Sequence, residues 1–283
     1  MHQAALYQRA NVLQRRDAEQ ILKEYSNSLQ WHLDGQDSLI DIGSGPGDVF
    51  KDFIYPIMPS NFGKLVGSDI SPKMCKHALK AFKFDERCDF RILDIATEEE
   101  LPKDLKGQFD HVTSFYCLNW VQNQRKALEN IYQLLRPESG DCLLVILIDN
   151  PIYEIYLSLS KSPKWASYMA DVKRFICPFY RTEKPQEKFA ALLKETGFSH
   201  IKTELRHNAY DFKGIDTVKD NAAAVCPFLD RIPSQRHTEF WQDFFSIVVD
   251  LKLQDATGDK ITVPYTAMVA YARKSPQLFD NNN

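Results

Sequence analysis

Three glycines and two carboxylates in the first third of the chain have the types and spacing to bind a small polar ligand. Gly43, Gly45 and Gly47 alternate with other residues in DIGSGPGD, which continues a short apolar run. Glycines this close together permit positive φ angles and let a ligand approach the main chain. Asp69 and Asp94 each close a later apolar run, and carboxylates accept hydrogen bonds from hydroxyl and amino groups. The pattern indicates a site for a ligand that carries such donors.

The spacing of the glycines narrows the class of ligand. A dinucleotide fingerprint reads G-x-G-x-x-G, but Asp48 stands where its third glycine would be, and the glycine is at Gly47. The loop also lacks the Gly-Lys-Ser/Thr ending of phosphate-cradling loops. A nicotinamide cofactor stays a minor alternative, because Asp69 would also suit its ribose.

Composition excludes several classes of protein. With 283 residues, 44% of them hydrophobic and 26% charged, the chain is expected to form a single globular domain, 1–283, with an elaborated lid. A net charge of -3 with scattered Lys and Arg argues against nucleic-acid binding. The apolar runs are too short for a membrane span or a signal peptide, so we expect a cytoplasmic protein. The six cysteines show no Cys-x-x-Cys pair, and no metal site is predicted.

Short apolar runs alternate with helical patterns between residues 38 and 150. This alternation predicts crossover units and a parallel sheet with helices on both faces. Ser71 and Pro72 provide an N-cap and a first helical residue, which is typical of a helix start. The predicted strands are 38–42, 64–68, 89–94, 111–116 and 142–148, and the predicted helices between them are 49–58, 72–84 and 124–135.

Outside this core the pattern predicts further helices and two more strands. An amphipathic helix is expected over 9–32, and another over 185–196, ending at Gly197. Strands are expected over 201–212 and 261–274. Two aromatic-rich insertions, at about 150–183 and 214–252, are expected to build a helical lid.

The stretch DIGSGPG resembles the first motif of the class I S-adenosylmethionine methyltransferases, in which the glycine loop passes under the methionine part of the cofactor. Asp69 resembles the second motif, whose carboxylate accepts from both ribose hydroxyls, and Asp94 is placed to accept from the adenine amino group. The resemblance implies a Rossmann-like α/β fold with a seven-stranded, mostly parallel sheet and an antiparallel last strand. It implies a S-adenosylmethionine site, here at residues 38–150, that uses Arg16, Asp41, Gly43, Ser44, Gly45, Gly47, Asp69, Ile70, Asp94, Ile95, Ser114 and Phe115.

Two further segments resemble the insect juvenile hormone acid methyltransferases. One is the N-terminal signature, and the other is FYCLNW at 115–120. Sequence similarity continues in LLRPESGDCLL, CPFY, TGFSHI and the closing YARK, so the resemblance covers nearly the whole chain. The signature is matched by Leu6, Tyr7, Asn11, Leu13, Gln14, Arg16, Asp17 and Ala18.

This resemblance implies methyl transfer to the carboxylate of a sesquiterpenoid acid, farnesoic acid or juvenile hormone acid, which yields the methyl ester in juvenile hormone biosynthesis. Gln14 and Trp120 match the positions that hold the substrate carboxyl group. The residue types agree with this chemistry, because a carboxylate is already ionised at neutral pH and needs no general base. Neutral N–H donors orient it without overstabilising the charge that methyl transfer removes. We therefore expect His111 to be structural.

The partner implied is a small apolar carboxylic acid, and a homodimer is left open. Aromatic and apolar residues of the insertions would suit an isoprenoid chain, although the same spacing is typical of core. One residue departs from the family pattern. Family members commonly read Leu-His-Trp where this chain has Leu118, Asn119 and Trp120, so Asn119 replaces the histidine and leaves the rate and substrate preference open. Another small or fatty acid, or a non-catalytic paralogue that binds S-adenosylmethionine or a terpenoid, are the alternatives. The predicted substrate site is Gln14, Phe115, Asn119, Trp120, Phe175, Ile176, Phe179, Val225 and Phe228.

Overall fold

Seven strands form one sheet in a computed structural model, which describes residues 10–81, 85–137, 139–255 and 257–274. The strands are β1 (Ser38–Ile42), β2 (Lys64–Asp69), β3 (Cys88–Ile92), β4 (His111–Phe115), β5 (Asp141–Asp149), β6 (Phe198–Lys213) and β7 (Lys260–Lys274). Their order is β3-β2-β1-β4-β5-β7-β6. β7 runs antiparallel to β5 and β6, and the pairs among β1 to β5 are parallel. The predicted sheet, with its antiparallel last strand, is confirmed.

Helices cover both faces of the sheet and fill the insertions. They are α1 (Val12–Tyr25), α2 (Pro72–Ala81), α3 (Gln124–Leu134), α4 (Pro151–Lys161), α5 (Pro185–Thr196), α6 (Ile215–Val225) and α7 (His237–Asp250). None of these helices is both long enough and apolar enough to cross a membrane. The insertions contribute α4, α6 and α7, and the assignment of residues 1–283 to a single domain stays a prediction.

Two helix predictions need correction. The helix predicted over 9–32 ends already at Tyr25, and a 3-10 turn, Ser26–Ser28, follows, because serine and asparagine side chains compete for backbone hydrogen bonds. The helix predicted over 49–58 is a π-helical turn, Phe50–Ile54, with a 3-10 turn, Tyr55–Ile57. Pro56 cannot donate a backbone bond there. Residue 9 and residues 82–84, the end of another predicted helix, lie outside the described residues.

Alternate residues of the central strands enter two separate cores. Leu143 and Val145 of β5 pack in the core that includes the buried face of α1. Leu144 and Ile146 pack in the opposite core, which includes α3, α5 and apolar residues of both insertions. This period-two alternation on a strand covered on both sides explains why β5 reads as a continuous apolar run. The N-terminal helix and the lid therefore lie on opposite faces of one sheet.

A buried ionic group closes the amino edge of the sheet, away from the glycine loop. His111, at the start of β4, lies between Asp141 (Nδ1 to Oδ1, 2.6 Å) and Asp37 (Nε2 to Oδ1, 3.1 Å). The Trp31 ring covers it at 4.4 Å between centroids. Burial alone would lower the pKa of His111, but the hydrogen bonds to Asp141 and Asp37 outweigh it and raise the pKa to about 9. We interpret His111 as a structural cation.

Stability should depend on the charge of His111. Because its pKa is raised from 6.5 to about 9 on folding, its contribution is complete below pH 6.5 and is lost as the pH rises through 9. This loss should reach up to about 3 kcal/mol of unfolding free energy. Urea unfolding between pH 6 and 10 measures it, with the neutral variant His111→Gln as the control. Parallel pH profiles for the wild-type and variant proteins would contradict the assignment.

Candidate active site

Parallel register brings three chain reversals to one edge of the sheet. Ile42, the last residue of β1, pairs with Ser68 of β2 and with Ser114 of β4. Gly43 follows at a φ of 75°, and a Cβ there would lie 2.3 Å from the Cβ atom of Cys117. The glycine loop and the turn after β4 therefore touch, which only glycine at position 43 permits.

Two of the predicted acids at this edge accept hydrogen bonds from nearby hydroxyl and backbone N–H groups. Asp41 accepts from the hydroxyls of Ser44 (2.7 Å) and Thr113 (2.8 Å). Asp69 accepts from the backbone N–H groups of Ser71 (2.8 Å) and Gly45 (3.1 Å). Burial raises the pKa of Asp41 to about 7 and also raises that of Asp69, although these donors oppose the shift. The Asp69 carboxylate thus fixes the glycine loop and still keeps lone pairs for a ligand.

The turn after β3 supplies an acid between two apolar side chains. Asp94 is exposed and accepts from the backbone N–H of Ala96 at 2.9 Å. Ile95 beside it is buried, whereas Ile70, after β2, is 64% exposed. The amide of Asn130 donates to the carbonyl of Ile95 at 2.8 Å and so fixes this turn. An aromatic base would find an apolar surface and an acceptor here.

These features line a cavity of about 820 Å³, called here the donor cavity. Two of its buried polar atoms have no hydrogen-bond partner, Asn11 Oδ1 and Gln14 Oε1. Asn11 is only 2% exposed and donates through Nδ2 to Asp48 at 2.7 Å. Unpaired buried acceptors are costly, so a ligand with N–H or O–H donors fits this wall. S-adenosylmethionine has such donors in its amino, ribose and adenine groups, and the residues present fit it.

A second, apolar pocket of about 120 Å³ adjoins the donor cavity. Its walls include residues of α1, α4, α6 and α7 and of strands β5 to β7. Among the described residues, no lining side chain carries a formal charge. In the part of the chain that the structure describes, four residues line both spaces and are called here the shared wall: Gln14, Tyr116, Trp120 and Val225. A molecule in the apolar pocket would therefore meet a ligand of the donor cavity beside Gln14 and Trp120.

Asn119 holds the indole of Trp120. With the Asn119 amide oriented to satisfy both of its neighbours, the Trp120 Nε1–H donates to Asn119 Oδ1 at 3.0 Å. The Asn119 nitrogen then donates to the backbone carbonyl of Tyr116, also at 3.0 Å. Asn119 is 2% exposed. Asn119, the residue that departs from the resemblance noted in the sequence, thus orients the indole.

The structure brings most of the predicted site residues together. Those lining the donor cavity are Gln14, Asp41, Gly43, Ser44, Gly45, Asp69, Ile70, Asp94, Ile95, Phe115, Trp120, Phe175 and Val225. Asn119 lines the apolar pocket instead.

Three residues predicted to bind the cofactor lie outside both linings. The Arg16 guanidinium donates to the hydroxyl of Tyr265 and to Asp17, so its hydrogen bonds are made beside β7. Gly47 makes room for packing, because a Cβ there would lie 3.0 Å from Ala78 and 3.1 Å from Phe90. Ser114 is fully buried and donates to the carbonyl of Ile42 at 3.0 Å.

Three predicted substrate residues also lie outside both linings. Phe179 packs edge-on against Phe189, and Phe228 is fully buried between Tyr156 and Phe175. The carbonyl of Ile176 accepts a hydrogen bond from the side chain of Gln122. These side chains belong to the lid's own core, and amphipathic spacing alone cannot separate such residues from those of a cavity wall.

Sequence reasoning missed several lining residues. Asn11 was part of the N-terminal signature and Asp48 followed the third glycine, but neither was assigned to the site. Tyr116 was also overlooked. No sequence signal distinguished the apolar lining from ordinary core, and its members include Leu147, Phe212, Val218, Phe244, Val248, Ile261 and Val263.

Comparison with known proteins agrees with this geometry. Residues 40–140 match the family model described as a methyltransferase domain. The juvenile hormone acid O-methyltransferase of Drosophila melanogaster is 48% identical over 99% of this chain and 95% of its own length. The protein of the same name from Bombyx mori is 39% identical over 97% of this chain and 98% of its own length.

Solved structures share the fold at low sequence identity. The YcgJ protein of Bacillus subtilis superposes with a TM-score of 0.57 at 14% identity, covering 90% of this chain and 97% of its own. Phosphoethanolamine N-methyltransferase 2 of Haemonchus contortus, in complex with S-adenosyl-L-methionine, gives 0.51 at 19% identity, covering 93% of this chain and 53% of its own. The predicted Rossmann-like methyltransferase fold is confirmed. Because the two insect proteins match nearly the full chain, the chain belongs to the juvenile hormone acid O-methyltransferase family and is a methyltransferase that uses S-adenosylmethionine.

Proposed function

We propose that the protein transfers the methyl group of S-adenosylmethionine to the carboxylate of juvenile hormone acid, and also to that of farnesoic acid. One observation carries this proposal: Gln14 and Trp120 lie on the wall shared by the donor cavity and an uncharged apolar pocket. The names of the two insect relatives support the first acid. The uncharged pocket supports any acid with a long apolar chain and disfavours a tricarboxylate.

The pose of the donor follows from the acceptors in its cavity. Asp69 would accept from the ribose hydroxyls, and Asp94 from the adenine amino group, with Ile70 and Ile95 against the ring. Asn11 Oδ1 and the buried carboxyl of Asp41 remain for the amino-acid end. This assignment gives each donor group of the ligand an acceptor in the cavity.

The chemistry asks little of the protein beyond alignment. Bound S-adenosylmethionine supplies an electrophilic methyl on a sulfonium sulfur; a carboxylate oxygen forms the new C–O bond as the C–S bond breaks, which gives the ester and S-adenosylhomocysteine. Gln14 contributes an amide whose Oε1 is unpaired, and a half-turn of that amide presents N–H instead. A carboxylate is a stronger acceptor than an amide and would compete with Asn119 for the Trp120 N–H.

The carboxylate of Asp69 should dominate the affinity for the donor. Asp69→Ala removes an acceptor for two hydroxyls and also frees the Gly45 N–H, so calorimetry should show S-adenosylmethionine binding weakened by about a hundredfold. Asp104→Ala, which removes an exposed carboxylate paired with Arg91, is the control and should bind normally. Unchanged affinity in Asp69→Ala would overturn the pose.

Affinity for the donor should rise with pH through the titration of Asp41. Its pKa is about 7 in the free protein, so the carboxyl is mostly protonated at pH 6 and ionised at pH 8. The cationic donor favours the ionised form, so affinity should increase by roughly three- to tenfold between pH 6 and 8. Titrations in buffers of different ionisation enthalpy should show proton release near pH 7. A pH-independent affinity without proton release would contradict this linkage.

Loss of either hydrogen-bond donor of the shared wall, the Gln14 amide or the Trp120 indole, should slow the methyl transfer. Gln14→Leu and Trp120→Phe should each cost about 1 to 3 kcal/mol of transition-state stabilisation, or roughly ten- to a hundredfold in rate. The measurement is ester formed from labelled S-adenosylmethionine on juvenile hormone acid, farnesoic acid, a saturated fatty acid and aconitate. Calorimetry should show that the donor affinity changes less in Trp120→Phe than in Gln14→Leu.

Two substitutions of Asn119 test how much the orientation of the Trp120 indole contributes to the rate of methyl transfer. Asn119→His retains an acceptor nitrogen for the Trp120 N–H and should stay within a few-fold of the wild-type rate, whereas Asn119→Leu should be slower.

Wild-type rates in Gln14→Leu and Trp120→Phe would refute the proposal that these two side chains hold the substrate carboxylate. Donor binding without ester on any acid would favour a non-catalytic protein.

A further inference from the structure

We propose that Asp17 and Tyr116 form a positioning pair that sets the distance between Gln14 and Trp120. The inference rests on the proposed function, in which these two side chains hold the substrate carboxylate. Gln14 belongs to α1 and Trp120 to the turn after β4, so their separation depends on how α1 is fastened to that turn. Asp17 and Tyr116 make the fastening through one buried hydrogen bond.

Asp17 is a buried carboxylate that accepts from two hydroxyl donors, one in the turn after β4 and one on β7. It is 2% exposed, and its Oδ2 accepts from Tyr116 at 2.5 Å and from Tyr265 of β7 at 2.6 Å. Its Oδ1 accepts from Arg16 Nε at 3.2 Å. A buried carboxylate that loses one of these donors stays desolvated, so the group favours one position of α1 against the sheet edge.

Tyr116 links this carboxylate to the indole of Trp120. Its φ of 57° is in the left-handed region, which is uncommon for a bulky residue and needs support from the surroundings. The support comes from its hydroxyl on Asp17 and from its backbone N–H on the Val145 carbonyl at 2.9 Å. Its own carbonyl accepts from Asn119, whose oxygen accepts from Trp120. Three consecutive hydrogen bonds therefore join Asp17 to Trp120.

On the other side, Asp17 fixes the residues of α1 that reach the cavity. Gln14 precedes it by three positions, which is less than one helical turn, so both project from neighbouring parts of one face. Asn11, one residue before α1, also lines the donor cavity. A shift of α1 would move Gln14 away from Trp120, and misplacement of this kind costs rate.

Tyr265 provides a matched control, because it donates to the same oxygen of Asp17. It lies on β7 and lines neither the donor cavity nor the apolar pocket. If the carboxylate only anchored α1, loss of either tyrosine hydroxyl would have the same effect. If the pair positions Trp120, loss of the Tyr116 hydroxyl should affect the reaction far more.

Kinetics of tyrosine-to-phenylalanine variants test the proposal. Tyr116→Phe should lower kcat at least tenfold at saturating donor, with KM for the acid and the Kd for S-adenosylmethionine changed less than threefold. Tyr265→Phe should stay within about twofold in kcat. In a Trp120→Phe background, Tyr116→Phe should add less than a threefold further loss, because the residue acts through the indole. Equal losses of kcat in the two single tyrosine variants, or fully multiplicative losses in the double variant, would overturn the proposal.

A spectroscopic measurement keeps the proposal separate from the assignment of substrate. The protein has four tryptophans, and the Trp120 indole signal in a ¹⁵N–¹H spectrum is the one lost in Trp120→Phe. It should shift in Tyr116→Phe and Asp17→Asn but not in Tyr265→Phe. An indole signal unmoved by Tyr116→Phe overturns the link, whether or not any acid is methylated. A wild-type protein that forms no ester from the panel overturns the proposed function while the indole shift still tests the link.

Discussion

The site depends on the parallel register of β1 with its two neighbours. Because Ile42 pairs with Ser68 on one side and Ser114 on the other, three strands end at the same level and their loops must share one small volume. Two features relieve the crowding: Gly43 has no side chain where Cys117 passes, and the following loop turns with positive φ at Gly45 and Gly47. A shift of register by one residue would exchange the buried faces of β1 and separate these loops.

The same convergence concentrates negative charge. Asp41, Asp48 and Asp69 line one cavity, and burial raises the pKa of Asp41 and of Asp69 because it disfavours the ionised form. The chain compensates with hydroxyl donors at Asp41, backbone N–H groups at Asp69, and Asn11 with Arg15 at Asp48. A cationic ligand is a natural complement to what remains. The acidic lining of the donor cavity thus complements the positive charge of a sulfonium, independently of the acid substrate.

The sequence predicted this edge of the sheet well, because local signals determine it. The predicted carboxyl ends of β1 to β5 fell within two residues of those observed. Glycines and acids that directly follow parallel strands must lie at the same edge of the sheet. Asp41, Asp69 and Asp94 therefore came together as expected. The residues of the lid that line the site were harder to predict. Val225 and Phe228 are three positions apart, yet Val225 is on the shared wall and Phe228 is in the core. Arg16 differs for another reason: its guanidinium donates to Tyr265, which is distant in sequence, and no local pattern pairs them. Its contact with the cofactor stays a prediction.

The place of β7 has a consequence for the order in which the enzyme matures. This strand follows β5 and β6 in sequence, yet it lies between them in the sheet, and its Tyr265 hydroxyl is a second donor to the buried Asp17 carboxylate of α1. On the ribosome, the first helix is made long before that strand emerges, and domains synthesised from the N-terminus complete such contacts late. The nascent chain can form its central parallel strands early, but the apolar pocket, to which Ile261 and Val263 of β7 contribute, is complete only after β7 has inserted between β5 and β6.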